Sequence, residues 1–171
     1  MRFSKLFIWL ITIAAFEAVA CEPDDISTRY LAAIQNQDWK TMATMLSRQA
    51  RYYDPTMTHF DRPAIDLTGP DAITAFWRRS SEESGTDDIR YDVTHCFVAG
   101  ELRVVHLDLE VDLAGKFWNV NRPSITVTGS LVSVFTVKHN LITEHIDYVD
   151  YAGGERLTDR LRQRYGPAKP D

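Results

Sequence analysis

Two stretches of alternating sequence carry imidazole and carboxylate side chains at every second residue. His106, Asp108 and Glu110 alternate with apolar residues between 102 and 113, and His145 and Asp147 alternate similarly between 141 and 151. Alternate side chains of a β-strand lie on one face, so all five could converge on one side of a sheet. In a closed pocket their pKa values would shift towards neutrality, as general acid–base catalysis needs. The pattern therefore permits a proton-transfer site, with His106 as a binding residue and the other four as catalytic candidates.

The same alternation also has a simpler interpretation. Apolar residues occupy the other face of the strand between 105 and 113, and half-buried strands commonly place such a row in the core and the polar row in water. The pattern shows only that the two faces meet different environments, so both interpretations stay open. A transition metal held by the His and Asp side chains is a minor alternative without compact ligand spacing. We therefore predict neither a metal nor a cofactor.

Aromatic residues add candidates for ligand contact. Trp77 and Trp118 could stack on a flat ligand, although aromatic residues at helical or strand spacing more often belong to the core. Phe135, in the strand expected at 124–138, is a third candidate for ligand contact. Trp118 lies in the stretch 114–123, which is expected to form a lip over a pocket.

Three helices are expected in the first half of the chain, where apolar side chains recur at helical spacing. They cover about 24–36, 38–46 and 70–84, the second capped by Asp38 and the third ended by Gly85. Residues 51–55 are expected to turn the chain, and 55–68 show no clear pattern.

From residue 89 the period changes to two, which predicts strands. They are expected over 89–98, 102–113, 124–138 and 141–151, with a turn at His139 and Asn140, with Gly153 and Gly154 closing the sheet, and with a short final helix near Leu157–Tyr165. Helices followed by an antiparallel meander predict one α+β domain over 21–171. A parallel, doubly wound sheet is excluded.

The composition is typical of a globular protein. The chain has 171 residues, 44% hydrophobic and 25% charged, with a formal net charge of −5 and no basic stripe, which argues against nucleic acid as a partner.

The N-terminus has the pattern of a secretory signal. Arg2 and Lys5 precede an apolar run over 6–16 and small residues at Ala18 and Ala20. This order predicts a signal peptide over 1–20, whose apolar run is too short to span a bilayer. The protein is thus expected to be periplasmic or secreted.

Cys21 has three possible fates. Cleavage after Ala20 would make it the first residue of the mature chain. An ordinary signal peptidase would leave its thiol free or able to pair with Cys96 in an oxidising compartment. A lipoprotein peptidase would leave it acylated, and only then is contact with a membrane expected.

The chain resembles the nuclear transport factor 2-like superfamily over about residues 24–152. The resemblance is carried by Tyr53-Asp54-Pro55, by the helix that begins Gly69-Pro70-Asp71, and by the terminal run His145–Tyr151. It implies a cone-shaped domain with three N-terminal helices packed on a curved antiparallel sheet. Its members include SnoaL-like polyketide cyclases, ketosteroid isomerases and limonene epoxide hydrolases, alongside many proteins that are not enzymes.

The ketosteroid isomerases provide the closest local match. The run Arg-Tyr-Leu-Ala-Ala at 29–33 and Asp54 before Pro55 match that family's helix-one Tyr and catalytic Asp, with the same separation. The resemblance implies that Asp54 is the base and that Tyr30 donates to an oxyanion. The family's second oxyanion donor, an Asp, corresponds here to about Ser133.

The epoxide hydrolases and cyclases imply a different base. Asp147 corresponds to an Asp on the last strand that activates water in the hydrolases, while their middle-strand Arg has no counterpart beside Asp108 and Glu110. SnoaL-like cyclases use an Asp in this pocket without a metal or cofactor. The resemblance thus implies an isomerase, cyclase or hydrolase acting on a small, partly apolar molecule, or a non-catalytic ligand-binding module of the same fold.

The resemblance also implies an oligomeric state. In this superfamily the concave face of the sheet lines the pocket and the convex face often pairs with a second subunit. The apolar row at 105–111, together with Ile146 and Tyr148, would then form the interface of a homodimer.

Overall fold

The computed structural model describes residues 19–169, and within this range it contains four α-helices and seven β-strands. The helices are α1 (Ile26–Gln35), α2 (Trp39–Thr44), α3 (Pro70–Ser84) and α4 (Tyr151–Tyr165). The strands are β1 (Val19–Ala20), β2 (Leu46–Asp54), β3 (Ile65–Thr68), β4 (Asp88–Ala99), β5 (Leu102–Ala114), β6 (Ser124–Lys138) and β7 (Leu141–Val149). Short 3-10 helices cover Pro55–Phe60 and Gly115–Trp118.

The strands form one sheet in the order β1-β4-β5-β6-β7-β2-β3. All neighbouring pairs are antiparallel except β2 and β7, which run parallel. The α+β class with helices packed on a curved sheet is confirmed, and the sheet is mixed rather than wholly antiparallel. The parallel pair arises because β2 comes from the helical half of the chain and docks beside the last strand.

Strand β2 corrects the expectation for the segment that follows α2. The sequence predicted that the helix would run to residue 46 and that 51–55 would be a turn, but α2 ends at Thr44 and β2 continues to Asp54. Along β2 the buried positions are Leu46, Ala50, Tyr52 and Asp54, and the last three alternate with less buried residues. The alternation was missed because one of its buried members is a carboxylate.

Local signals placed several element ends correctly. Asp25 caps α1 by accepting from the backbone of Ser27 at 2.9 Å, and Asp38 caps α2 by accepting from that of Thr41 at 3.0 Å. His139 and Asn140, with φ of 50° and 58°, form the two-residue turn between β6 and β7. Positive φ at both positions matches the right-handed twist of a hairpin.

The last strand is shorter and the last helix longer than expected. Strand β7 ends at Val149, and Asp150 caps α4 by accepting from the backbone of Gly153 at 2.9 Å. A Cβ on Gly153 would collide with the capping carboxylate. The two glycines therefore lie in the first turn of α4 rather than closing the sheet.

The core lies between the helices and the inner face of the sheet. Val105 and Leu107 of β5 are fully buried there against Ile34 of α1 and Ile73 of α3. The row at 105–111 therefore belongs to the interior, and its predicted place in a subunit interface is wrong. Apolar area of this kind stabilises a fold by about 25 cal/mol per Å² removed from water.

The N-terminal end of the described range is tied to β4. Val19 and Ala20 pair with Val98 and Phe97, and Cys21 forms a disulfide with Cys96. Most of the predicted signal peptide, residues 1–18, lies outside the described residues. Among the helices of residues 19–169, none is long and apolar enough to cross a membrane.

Candidate functional site

A cavity of about 470 Å³ opens beneath the inner face of the sheet. Its walls come mainly from α1, α3 and strands β2 to β7, and they are mostly apolar. Tyr52, Ser133, His145, Asp147 and Tyr151 form one polar part of this lining. The other polar residues that line the cavity are Arg62, Arg79, Ser80, Ser81, Glu83, Ser84 and Thr86. A mostly apolar cavity with a few convergent polar groups is typical of sites for small molecules.

Asp147 is the centre of the polar wall, and it is 4% exposed. Its Oδ1 accepts from Ser133 Oγ at 2.5 Å and lies 2.7 Å from His145 Nε2, while its Oδ2 accepts from the Tyr52 hydroxyl at 3.1 Å. Because a carboxylate oxygen only accepts, Nε2 of His145 carries the proton of the shared bond. Three donors thus hold one buried carboxylate in a single orientation.

Pairing between strands brings these side chains together. Ser133 of β6 lies directly opposite Asp147 of β7, and Tyr52 of β2 lies opposite His145 of β7. Side chains directly opposite on one face are close enough for contact. The cluster therefore depends on β2 docking beside β7.

Electrostatics keep Asp147 ionised. Burial alone would raise the pKa of its carboxyl, but the charge of His145 and the hydrogen bonds from His145, Ser133 and Tyr52 outweigh burial and lower that pKa below its ordinary value. Burial and then the nearby Asp147 charge raise the pKa of the Tyr52 hydroxyl. At neutral pH the site therefore contains a carboxylate and a protonated phenol.

Aromatic side chains enclose the His145 ring. Phe135 stacks on it with centroids 4.4 Å apart, and Tyr30 and Tyr52 contact it with centroids 5.4 Å and 5.0 Å away. Nδ1 of His145 is buried without a hydrogen-bond partner among the described residues. The aromatic contacts fix the plane of the ring and hence the direction in which Nε2 meets Asp147.

Asp54 forms a second buried carboxylate site at the end of β2. Its Oδ1 accepts from the backbone of Thr56 at 2.8 Å, from the Thr56 hydroxyl at 2.6 Å and from the backbone of Met57 at 3.2 Å. Its Oδ2 accepts from the Tyr151 hydroxyl at 2.7 Å. Tyr151 lines the cavity, whereas Asp54 lies behind it.

His106, Asp108 and Glu110 do not converge with His145 and Asp147, so this part of the predicted site is wrong. Asp108 is exposed on the outer face, Glu110 pairs there with Arg90, and Nδ1 of His106 lies 2.6 Å from the Thr94 hydroxyl. The apolar row of β5 turns inward because it packs against the helices. The four His and Asp residues considered as metal ligands are consequently divided between the two faces.

Tyr30 lies next to the site without lining the cavity. It is fully buried, and its hydroxyl has no hydrogen-bond partner among the described residues. Burial and then the Asp147 charge raise its pKa well above the ordinary value. The structure places Tyr30 as a wall of the His145 enclosure, like Phe135.

The two tryptophans differ in position. Trp77 of α3 lines the cavity, but Trp118 does not; the neighbouring Phe117 lines it instead and is 53% exposed. The backbone carbonyl of Trp118 accepts from Arg162 of α4. The segment expected to form a lip therefore contributes through a different side chain from the one predicted.

Sequence reasoning missed Tyr52 and Tyr151. Tyr52 fell in a segment interpreted as a turn, and Tyr151 in the expected last strand. One available signal was the alternation of Ala50, Tyr52 and Asp54, which marks one strand face once a buried carboxylate is allowed.

Comparisons with known proteins agree with the fold. A family model described as a SnoaL-like domain matches residues 27–145. A putative SnoaL-like polyketide cyclase from Shewanella putrefaciens CN-32 has a TM-score of 0.68 and 23% identity, covering 81% of this chain and 94% of its own.

Two further solved structures show the range of proteins with this fold. A protein with a ketosteroid isomerase-like fold from Catenulispora acidiphila DSM 44928, in complex with trimethylamine, has a TM-score of 0.65 and 15% identity, covering 80% of this chain and 93% of its own. An LEH-like epoxide hydrolase from M. tuberculosis has a TM-score of 0.62 and 17% identity, covering 80% and 88%. No curated protein matches the sequence significantly.

Proposed function

The chain belongs to the SnoaL-like domain family, and on that premise we propose that it is a cofactor-independent acid–base enzyme. It binds a small, partly apolar molecule in the cavity, and Asp147 takes a proton from that molecule and returns it at another position. Isomerisation and aldol-type cyclisation are the reaction classes that need such a step; in hydrolysis the same carboxylate would instead take its proton from a water molecule that adds to the substrate. The observation that carries the proposal is one ionised, buried carboxylate held by His145, Ser133 and Tyr52 at the edge of an apolar cavity.

The low pKa of Asp147 limits which protons it can remove. A carboxylate stabilised by three donors is a weak base, so the bound molecule must supply an acidic proton, such as a C–H next to a carbonyl or an enolic O–H. His145 and Tyr52 then stabilise the ionised form after the proton has been returned. The apolar walls exclude water, which strengthens these interactions.

A non-catalytic binding module is the second candidate. The observation that favours it is the same full engagement of Asp147, whose two oxygens already accept three hydrogen bonds. In that case the carboxylate would orient a ligand and no turnover would follow.

The cavity itself can be tested by filling it. Leu109 lines the cavity, so Leu109→Trp should weaken binding of compounds found by ligand-observed NMR screening by at least about tenfold, because the indole occupies their space. Leu102→Trp is the matched control, since Leu102 is 46% exposed and lies away from the cavity. Equal affinity in wild type and Leu109→Trp would contradict the proposed binding site.

We further propose that the protein is exported, with Cys21 in the disulfide rather than lipidated. A disulfide with Cys96 is typical of an oxidising compartment. A lipid thioether would need the same Sγ atom, so the two modifications exclude each other. Cleavage after Ala20 would remove β1 and leave the disulfide at the new N-terminus.

We also propose a homodimer, formed through the outer face of the sheet. Phe97 and Tyr148 are 48% and 47% exposed there, beside the half-buried Val132, Val134 and Ile146. Contiguous apolar surface on a sheet commonly marks a protein interface. Strand register places these residues together, since Val132 lies opposite Tyr148 and Val134 opposite Ile146.

Tyr148→Lys should therefore convert the dimer to a monomer, because a two-fold interface places the new charge in it twice. Light scattering at micromolar concentration measures the mass. Phe117→Lys, at the mouth of the cavity, should leave the mass unchanged. A monomeric wild type would contradict this proposal and leave the proposed cavity chemistry unaffected.

A further inference from the structure

Three hydroxyl groups of the cavity lining, those of Tyr52, Ser133 and Tyr151, share one hydrogen-bond polarity. Tyr52 and Ser133 each donate their only hydroxyl proton to Asp147, and Tyr151 donates its own to Asp54. A hydroxyl whose proton is committed still has acceptor lone pairs. Towards a ligand, all three therefore act as acceptors.

The hydrogen bond to Asp54 holds the Tyr151 hydroxyl in this acceptor orientation. Asp54 is 1% exposed and accepts four hydrogen bonds, so it cannot turn away without losing several of them. Burial, the hydrogen bond to Asp54 and nearby carboxylate charges raise the pKa of the Tyr151 hydroxyl. The phenol therefore keeps its proton and keeps it directed at Asp54.

Packing also fixes where the Tyr151 oxygen can meet a ligand. Tyr151 is the first residue of α4, and its ring lies against that of Phe60, with centroids 4.9 Å apart. The Thr56 hydroxyl accepts from the backbone of Val149 at 3.0 Å. These contacts tie the 3-10 helix, β7 and the start of α4 into one corner of the cavity. Asp54, Thr56 and Tyr151 thus form one hydrogen-bonded unit.

We propose that Tyr151 is a specificity-determining residue, whose oxygen accepts a hydrogen bond from a hydroxyl of the bound molecule. This inference rests on the proposed ligand cavity and names the ligand class: a compact, largely apolar molecule with a phenolic or enolic hydroxyl. A methyl ether of the same shape would bring an acceptor against an acceptor and leave the Tyr151 lone pairs unmatched.

Asp54→Asn separates this role from packing. The amide oxygen is expected to keep accepting from the backbones of Thr56 and Met57, because the amide nitrogen cannot accept there. The NH₂ group then faces the Tyr151 oxygen and donates to it. The Tyr151 proton becomes free for the ligand, and the polarity of this part of the cavity reverses.

Isothermal titration calorimetry with 2-naphthol and 2-methoxynaphthalene tests the inference. Wild type should bind the naphthol about tenfold more tightly, the value of one good hydrogen bond. The preference should fall below about threefold in both Tyr151→Phe and Asp54→Asn, with affinity for the ether unchanged or improved. Tyr148→Phe, on the outer face, is the matched control and should keep the full preference.

The outcomes separate the two proposals. If both compounds bind but wild type does not distinguish them, or if both variants keep the preference, Tyr151 does not determine specificity and the ligand cavity stands. If neither compound binds wild type, the proposed cavity fails, and the role of Tyr151 with it. If one variant does not fold, the other decides, because Tyr151→Phe removes the accepting oxygen and Asp54→Asn turns the Tyr151 hydroxyl towards donating to the ligand.

Discussion

Asp147→Asn should lower turnover by about 10²- to 10⁴-fold on a substrate found by screening, while binding of the product changes little. The amide is nearly isosteric but cannot take up a proton, so transfer stops while the cavity keeps its shape. Steady-state kinetics should show the loss in kcat more than in KM. Full activity of the variant would contradict the catalytic assignment.

Asp108→Asn is the matched control for this experiment, because it makes the same chemical change on the outer face of the sheet. It should leave turnover unchanged. Equal losses in both variants would indicate a general effect on folding. If no turnover is found and both variants bind ligand like wild type, the non-catalytic module becomes the better interpretation.

The pH dependence follows from the lowered pKa of Asp147. The carboxylate is the active form, so activity should persist as the pH falls from 7 to about 5 and be lost only on further acidification, as Asp147 protonates. The ionised form of Asp147 also stabilises the fold, and this contribution falls with decreasing pH as the activity does. It is fully present above the ordinary Asp pKa and is lost as the pH falls through the lowered one.

Cys96→Ser should lower the free energy of unfolding by about 4 kcal/mol, because the disulfide closes a loop of 75 residues and restricts the unfolded chain. Urea denaturation under oxidising conditions measures the difference. Since the bond needs both cysteines, Cys21→Ser should cost the same, and the double variant should cost no more than either alone.

Reduction supplies the control. With dithiothreitol, wild type should lose the same stability and match both single variants. A wild type unaffected by reduction would contradict a stabilising disulfide. Mass spectrometry of the exported protein then distinguishes the fates of Cys21, because a lipidated N-terminus would be heavier and could not contain the Cys21–Cys96 bond.

Strand β5 shows what an alternating pattern can predict and what it cannot. Its two rows were recognised, yet the row containing Asp108 was expected inside and the structure places it outside. In β7 the opposite holds, since His145 and Asp147 are buried while Tyr148 is exposed. Strands β5 and β7, which are separated by β6, thus turn rows of different polarity inward, because the buried polar residues of β7 form hydrogen bonds with each other and with their neighbours.

Strand register supplies the missing information. Val105, Ser133 and Asp147 lie opposite one another across β5, β6 and β7 on the inner face. Apolar Val105 and charged Asp147 therefore share a row, which no single strand's pattern shows. The addition of β2 beside β7, which contributes Tyr52, is equally invisible to local spacing.

The sequence by itself determined the fold class, most helix and strand positions, the β6–β7 turn and the candidacy of His145 and Asp147. These depend on caps, turn residues and periodicity, which act within a few residues. Only the tertiary structure decided which strand face is internal and that Asp54 accepts a hydrogen bond from the Tyr151 hydroxyl. It also decided that Tyr30 and Phe135 enclose the His145 ring. Those properties depend on contacts between residues up to about a hundred positions apart, which form when the helices and β2 pack on the sheet.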